Sequence, residues 1–165
     1  MSNKAESIPT SLKVLGIYQI VGGALGIGMT IWKIDLSSVS GLLILIILIA
    51  MALFAYSMFC GVLLLRKPKP GLKHSMINQL LQLVSFSVLG FSFQYAGGIF
   101  LSVGMDLTDS LLFKFNAGIS SWQISFGSSK EDLIINLNLV ALSLVYVINR
   151  LLNKMNENEI VSSLD

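Results

Sequence analysis

Apolar positions in this chain collect into four long runs separated by short polar stretches. The first, Leu12 to Trp32, covers about 21 residues, the length a helix needs to cross a bilayer. The second, Gly41 to Leu65, contains no ionisable residue and includes the unbroken stretch Leu42 to Ile49. It stops at Arg66-Lys67-Pro68-Lys69-Pro70-Gly71, where two prolines and a glycine end a helix and the cations stay in water or among headgroups. The third, Ser75 to Gly104, is uncharged but carries Asn78, Gln79, Gln82 and Gln94. As one helix it would be about 45 Å long against a hydrocarbon core of about 30 Å. It must therefore tilt or begin in the interface, with the span near 80–100. The fourth, Leu133 to Leu152, is interrupted by Asn136, Asn138 and Asn149.

Backbone polar groups in hydrocarbon must be satisfied within their own segment, so each run is predicted to be a helix. The fold expected is an all-α integral membrane protein, a bundle of four transmembrane helices over 12–32, 41–65, 76–104 and 133–152. These form one membrane domain, 12–152, between tails at 1–11 and 153–165. The first run is too long for the apolar part of a signal peptide, and no small-residue cleavage site follows Trp32, so it is read as a retained span.

The periodicity changes in the 105–132 segment. Leu111, Phe113, Phe115 and Ala117 alternate with Leu112, Lys114 and Asn116; beyond Gly118, Trp122, Ile124 and Phe126 alternate with Gln123 and Ser125. Period two on both sides of a glycine predicts a β-hairpin, 111–116 and 121–126, in the loop between helices 3 and 4. An isolated hairpin is marginal in water, so its apolar residues Phe113, Phe115, Trp122 and Phe126 are candidate interaction residues on the bundle mouth.

Lysine and arginine placement sets orientation. Lys4, Lys13, Arg66, Lys67, Lys69, Lys73, Arg150 and Lys154 fall on one side. Lys33, Lys114 and Lys130 fall on the other, diluted by Asp35, Asp106, Asp109, Glu131 and Asp132. Both termini are therefore expected in the cytoplasm, with the protein in the cell (inner) membrane and the hairpin outside.

Helical spacing places Gly16, Gln19, Gly22, Gly23, Gly26 and Thr30 on one face of the first helix. Gly22 and Gly26, with Gly90 and Gly97 of the third run, make a candidate helix-packing seam, because small residues let backbones approach closely in lipid. That seam serves either a homodimer or packing within one bundle. Gln19, Ser57, Gln82 and Tyr146 are expected in the cytoplasmic half as a polar intramembrane layer. Such a layer serves either as a polar path or ligand pocket, or as interhelical hydrogen bonding that fixes packing.

Composition narrows the chemistry. Hydrophobic residues make up 54% and charged residues 12%, with a net charge of +2; no basic face for nucleic acid is present. One cysteine, Cys60, and one histidine, His74, make neither a disulfide nor a metal-ligand spacing. No Asp, Glu, Lys, Arg or His falls in the interior of the four predicted spans, Lys13 and Arg150 lying at their ends, which argues against proton-coupled transport, and the serines have no base near in sequence except His74 and the loop acids. The outer acids are expected to stay hydrated rather than hold a cation. The basic 66–74 loop can attract anionic lipid. The expected function is a non-enzymatic subunit or scaffold, without cofactor, acting through helix packing and its outer loop on a second copy or another membrane protein. The alternative is a small channel or transporter for neutral or hydrophobic solutes.

Overall fold

The computed structural model describes residues 9–34, 40–108, 110–127 and 132–162, with side chains to residue 157. Lys4, Asp35, Asp109, Lys130 and Glu131, used above for orientation or the outer acids, lie outside the described residues. The chain forms α1 (Thr10–Lys33), α2 (Gly41–Arg66), α3 (Pro68–Leu83), β1 (Val84–Val88), β2 (Phe91–Asp106), β3 (Leu112–Ser125), β4 (Leu133–Asn138) and α4 (Leu139–Ser162). This is an α/β fold, which overturns the four-helix bundle. Among the described residues only α1 and α2 are long and apolar enough to cross a membrane, with mean hydropathies of 1.7 and 2.8.

α1 and α2 pack as an antiparallel pair through small residues. A side chain on Gly16 would meet the Gly61 carbonyl at 3.1 Å, and one on Gly23 would meet the Phe54 carbonyl at 2.6 Å. The Ser40 hydroxyl accepts from the Leu43 amide at 3.3 Å and caps α2. α2 ends at Arg66, and Pro68 opens α3, since proline suits the first turn of a helix and not its interior. α3 thus begins before the apolar run it was expected to belong to.

The third run is helical only to Leu83. Beyond it, Val84-Ser85-Phe86-Ser87-Val88 and Phe91-Ser92-Phe93-Gln94-Tyr95 alternate with period two. They form a hairpin on the two-residue turn Leu89-Gly90, with φ of 49° and 79°. Both values are left-handed, the geometry that matches strand twist and favours glycine at the second position. Gly90 is therefore a turn residue and no part of a helix seam. The fourth run also divides. Asn138 ends β4, and its side-chain oxygen accepts from the amides of Val140 at 3.1 Å and Ala141 at 3.3 Å. The asparagines that interrupt the run mark a strand-to-helix junction with its own N-cap.

The predicted outer hairpin is instead one continuous strand, β3, paired with β2 from Asp106↔Leu112 to Ser92↔Ser125. The phase change between Ala117 and Trp122 is a β-bulge: the register shifts between Ala96 and Ile99, Ser120 has φ 40° and Gly98 has φ 121°. A bulge inverts which positions face inward without turning the chain. β2 bends at this point. Its start pairs with β1, its end with β4, and β4 pairs with β1. These three strands close on themselves, leaving β3 along the outside of β2.

The sheet lies against α1, while α3 and α4 cover the other end of the helical pair. There Leu12, Leu15, Leu64, Leu72 and Ile148 form a dry core.

Candidate functional site

Two polar constellations stand out, one internal and one open. The internal one sits where α1, α2, α3 and β2 meet. Gln19, Ser57, Ser75, Asn78 and Gln79 are fully buried. The Gln19 amide donates to the Ser75 hydroxyl at 2.9 Å, and the Ser57 hydroxyl donates to the Gln19 carbonyl at 3.1 Å. Asn78 donates to Ser57 at 3.2 Å and lies 3.4 Å from the Gln19 side-chain oxygen. The Tyr95 hydroxyl reaches the Leu53 carbonyl at 2.8 Å and the Asn78 oxygen at 3.2 Å. Burial pushes its phenol far above the ordinary tyrosine range, so it stays a donor. Gln82 accepts from the Gly97 amide at 2.7 Å, satisfying the backbone at the bend of β2. Both side-chain amide atoms of Gln79 and the Gln82 nitrogen have no hydrogen-bond partner among the described residues.

The predicted polar layer is thus brought together in three of its four members. Gln19 and Ser57 bond directly, and Gln82 joins through Gly97, whose open face lies beside the Ser57 hydroxyl and the Gln82 amide. Tyr146 is 68% exposed on α4 and takes no part. Asn78 and Gln82 lie four residues apart on α3 and share its face, whereas Tyr95 lies inside a run whose composition predicts helix.

The glycine seam is used within the chain. A side chain on Gly22 would meet the Gly97 carbonyl at 2.6 Å, so helix and strand backbones touch there, while Gly26 faces the Phe54 ring. Beside it, Ser120 accepts from the Gly98 amide at 3.0 Å and donates to the Gly22 carbonyl at 2.8 Å. Thr30 accepts from the Trp122 indole at 2.8 Å. These bonds fasten the bulge to α1.

The open constellation follows from strand register. Cross-strand partners share a face, and the rows Ser87–Ser92–Ser125, Gln94–Gln123 and Ser85–Asn136–Gly104–Lys114 are all polar or glycine. They line a concave cavity of about 700 Å³. Gly104 leaves room for the Asn136 side chain. At its edge Lys114 is ion-paired with Asp106 at 2.5 Å. That bond and those from Thr108 hold the Asp106 carboxyl down at about 2.

The opposite face is apolar. Phe113 and Phe115 are 68% and 75% exposed. Trp122 is tied to Thr30, and Phe126 packs on Phe91 with ring centroids 5.0 Å apart. The four predicted interaction residues therefore do not form one patch. Phe113 and Phe126 lie near opposite ends of a strand roughly 40 Å long. His74 stands apart as well, its ring nitrogen 3.1 Å from the Tyr56 hydroxyl and its ring edge-on to Phe59. No family model, curated protein or solved structure matches the chain.

Proposed function

We propose that this chain is an integral membrane protein with a non-enzymatic role, in which the α1–α2 hairpin spans the inner membrane and the sheet is the working surface. The observation that carries this reading is the inverted polarity of the molecule. Amides and hydroxyls are gathered inside, while large apolar side chains cover the outside of α1, α2 and the sheet. Only 22% of the most apolar stretch of α2 is buried, and contiguous exposed apolar surface of this kind marks contact with lipid or protein. α1 and α2 run antiparallel, and α4 returns along α3 to the Leu12 end of α1. The start of α1 and the α4 residues packed on it therefore lie toward one side, in keeping with the cytoplasmic placement that the lysines and arginines favour.

Within that reading the protein acts as a subunit or scaffold. Its bonded internal polar groups join helix to helix and helix to strand. β3 is an edge strand among the described residues and carries the exposed Phe113 and Phe115, features that suit a second copy or another membrane protein. Conduction through Gln19, Ser57, Gln82 and Tyr146 is the weaker reading, because three of these are bonded into protein and the fourth is on the surface. Single-cysteine labelling in a Cys60→Ser background tests the placement. A membrane-impermeant maleimide should label Ser40→Cys from outside intact cells and leave Thr10→Cys unlabelled until lysis. Release of the protein by alkaline carbonate, or equal labelling at both positions, would refute it.

A further inference from the structure

We infer that the polar cup of the sheet is a binding site for an uncharged saccharide, either a free sugar or the sugar headgroup of a glycolipid. The cavity, about 700 Å³, falls within the range of small-molecule sites. Its hydrogen-bonding lining is made of neutral side chains, chiefly Gln94, Asn116, Gln123, Ser125 and Asn136. Amides and hydroxyls offer donors and acceptors together, which is what a ring of sugar hydroxyls requires and what an anion or cation does not.

Three of these groups are uncommitted: Asn116, Gln123 and Ser125 make no side-chain hydrogen bond to a described residue. The others are held in place, Gln94 by Ser121 and Asn136 by Ser85, each at 3.4 Å. Among the described residues the charged lining side chains are Lys114 and Asp132, one of each sign, and Lys114 is already paired with Asp106. Phe86, Phe93, Phe113 and Phe115 also border the cavity, but as strand neighbours of Ser85, Ser92 and Lys114 their side chains belong to the opposite face. The exposed Phe113 and Phe115 would let the cup lie beside a bilayer, where a glycolipid headgroup is presented.

The inference goes beyond the membrane reading and does not depend on the sidedness of α1 and α2. The full chain is placed in phosphatidylcholine nanodiscs free of sugar detergents. Maltose, sucrose and lactose are titrated calorimetrically, and a second set of nanodiscs carries a glycosyl-diacylglycerol. Saturable binding is expected in at least one arm. Free-sugar binding identifies a soluble ligand, and a response only to the glycolipid identifies a headgroup. Gln123→Ala or Asn116→Ala should weaken it about tenfold, the loss of one or two hydrogen bonds. Tyr146→Ala, remote from the cup, should leave it unchanged. Raising salt from about 0.05 to 0.5 M should change the affinity less than twofold, because no net charge is recognised. Gln123 and Asn116 are exposed, and equal melting temperatures would show that both variants fold. Absence of binding in both arms, or binding that survives both substitutions, would overturn the assignment.

Discussion

Replacing Gly22 by alanine probes the contact on which the helix–sheet architecture turns. The added methyl would lie 2.6 Å from the Gly97 carbonyl oxygen and 2.7 Å from the Gly98 nitrogen. Both are backbone atoms of β2 at its bulge and cannot rotate aside, so the strand must move off α1. Overpacking of this kind costs about 1–3 kcal/mol. Alanine returns about 1 kcal/mol of helix propensity relative to glycine, so a net loss of up to about 2 kcal/mol is expected. Gly28 provides the internal comparison: it lies on the same helix and nothing stands within 4 Å of an added Cβ. Gly28→Ala should show the propensity gain alone. The two variants should therefore differ by about 1–3 kcal/mol, or roughly 2–12 °C in melting temperature for a chain of this size. Thermal unfolding in nanodiscs, followed by Trp122 fluorescence, reads this out, with mass measured on the same samples. Equal shifts for Gly22→Ala and Gly28→Ala would refute the packing of α1 on β2. A change of oligomeric state without a change in melting temperature would return the glycine to a dimer seam.

The buried network should separate bonded from unbonded amides. Gln79→Met removes two buried polar atoms without partners and is expected to raise stability by about 1 kcal/mol or more, while Asn78→Leu strands its partners on Gln19 and Ser57 and should cost about 2–3 kcal/mol; denaturant titration of both checks this. Tyr95→Phe deletes the donor to the Leu53 carbonyl and should cost about 1 kcal/mol by the same assay. Asp106 sets an acid response at the β2–β3 end. Its carboxyl is depressed from 3.8 to about 2, so its contribution is complete above about pH 4 and fades as pH falls toward 2. Amide shifts of Thr108 should follow that titration and become flat in Asp106→Asn.

The first two helices are legible because long, unbroken apolar runs mark them. The runs 12–32 and 41–65 became α1 and α2 with ends displaced by two residues or fewer, and the small-residue face from Gly16 to Thr30 is buried. The later runs misled for one physical reason. Absence of charge records that a segment avoids water, but says nothing about whether its backbone hydrogen bonds are local or between strands. Ser85, Ser87, Ser92 and Gln94 carry the period-two signal, yet they lie in an uncharged run whose length predicts a helix. In 111–126 the alternation predicts strands but its phase change mimics a turn, because a bulge and a tight loop both interrupt the pattern near glycine and serine. The internal site was partly visible from Gln19, Ser57, Asn78 and Gln82. The cup was not, since it depends on register between strands distant in sequence, such as Ser85↔Asn136 and Gly104↔Asn136.

The measurement that bears most directly on the whole account is solid-state NMR of uniformly labelled protein in lipid bilayers, reading backbone carbon shifts residue by residue. Helical shifts with lipid contacts are expected across 10–33 and 41–66, and strand shifts across 84–88, 91–106, 112–125 and 133–138, with an inter-strand contact between Gly104 and Asn136. Continuous helical shifts through 76–104 and 133–152 would contradict it.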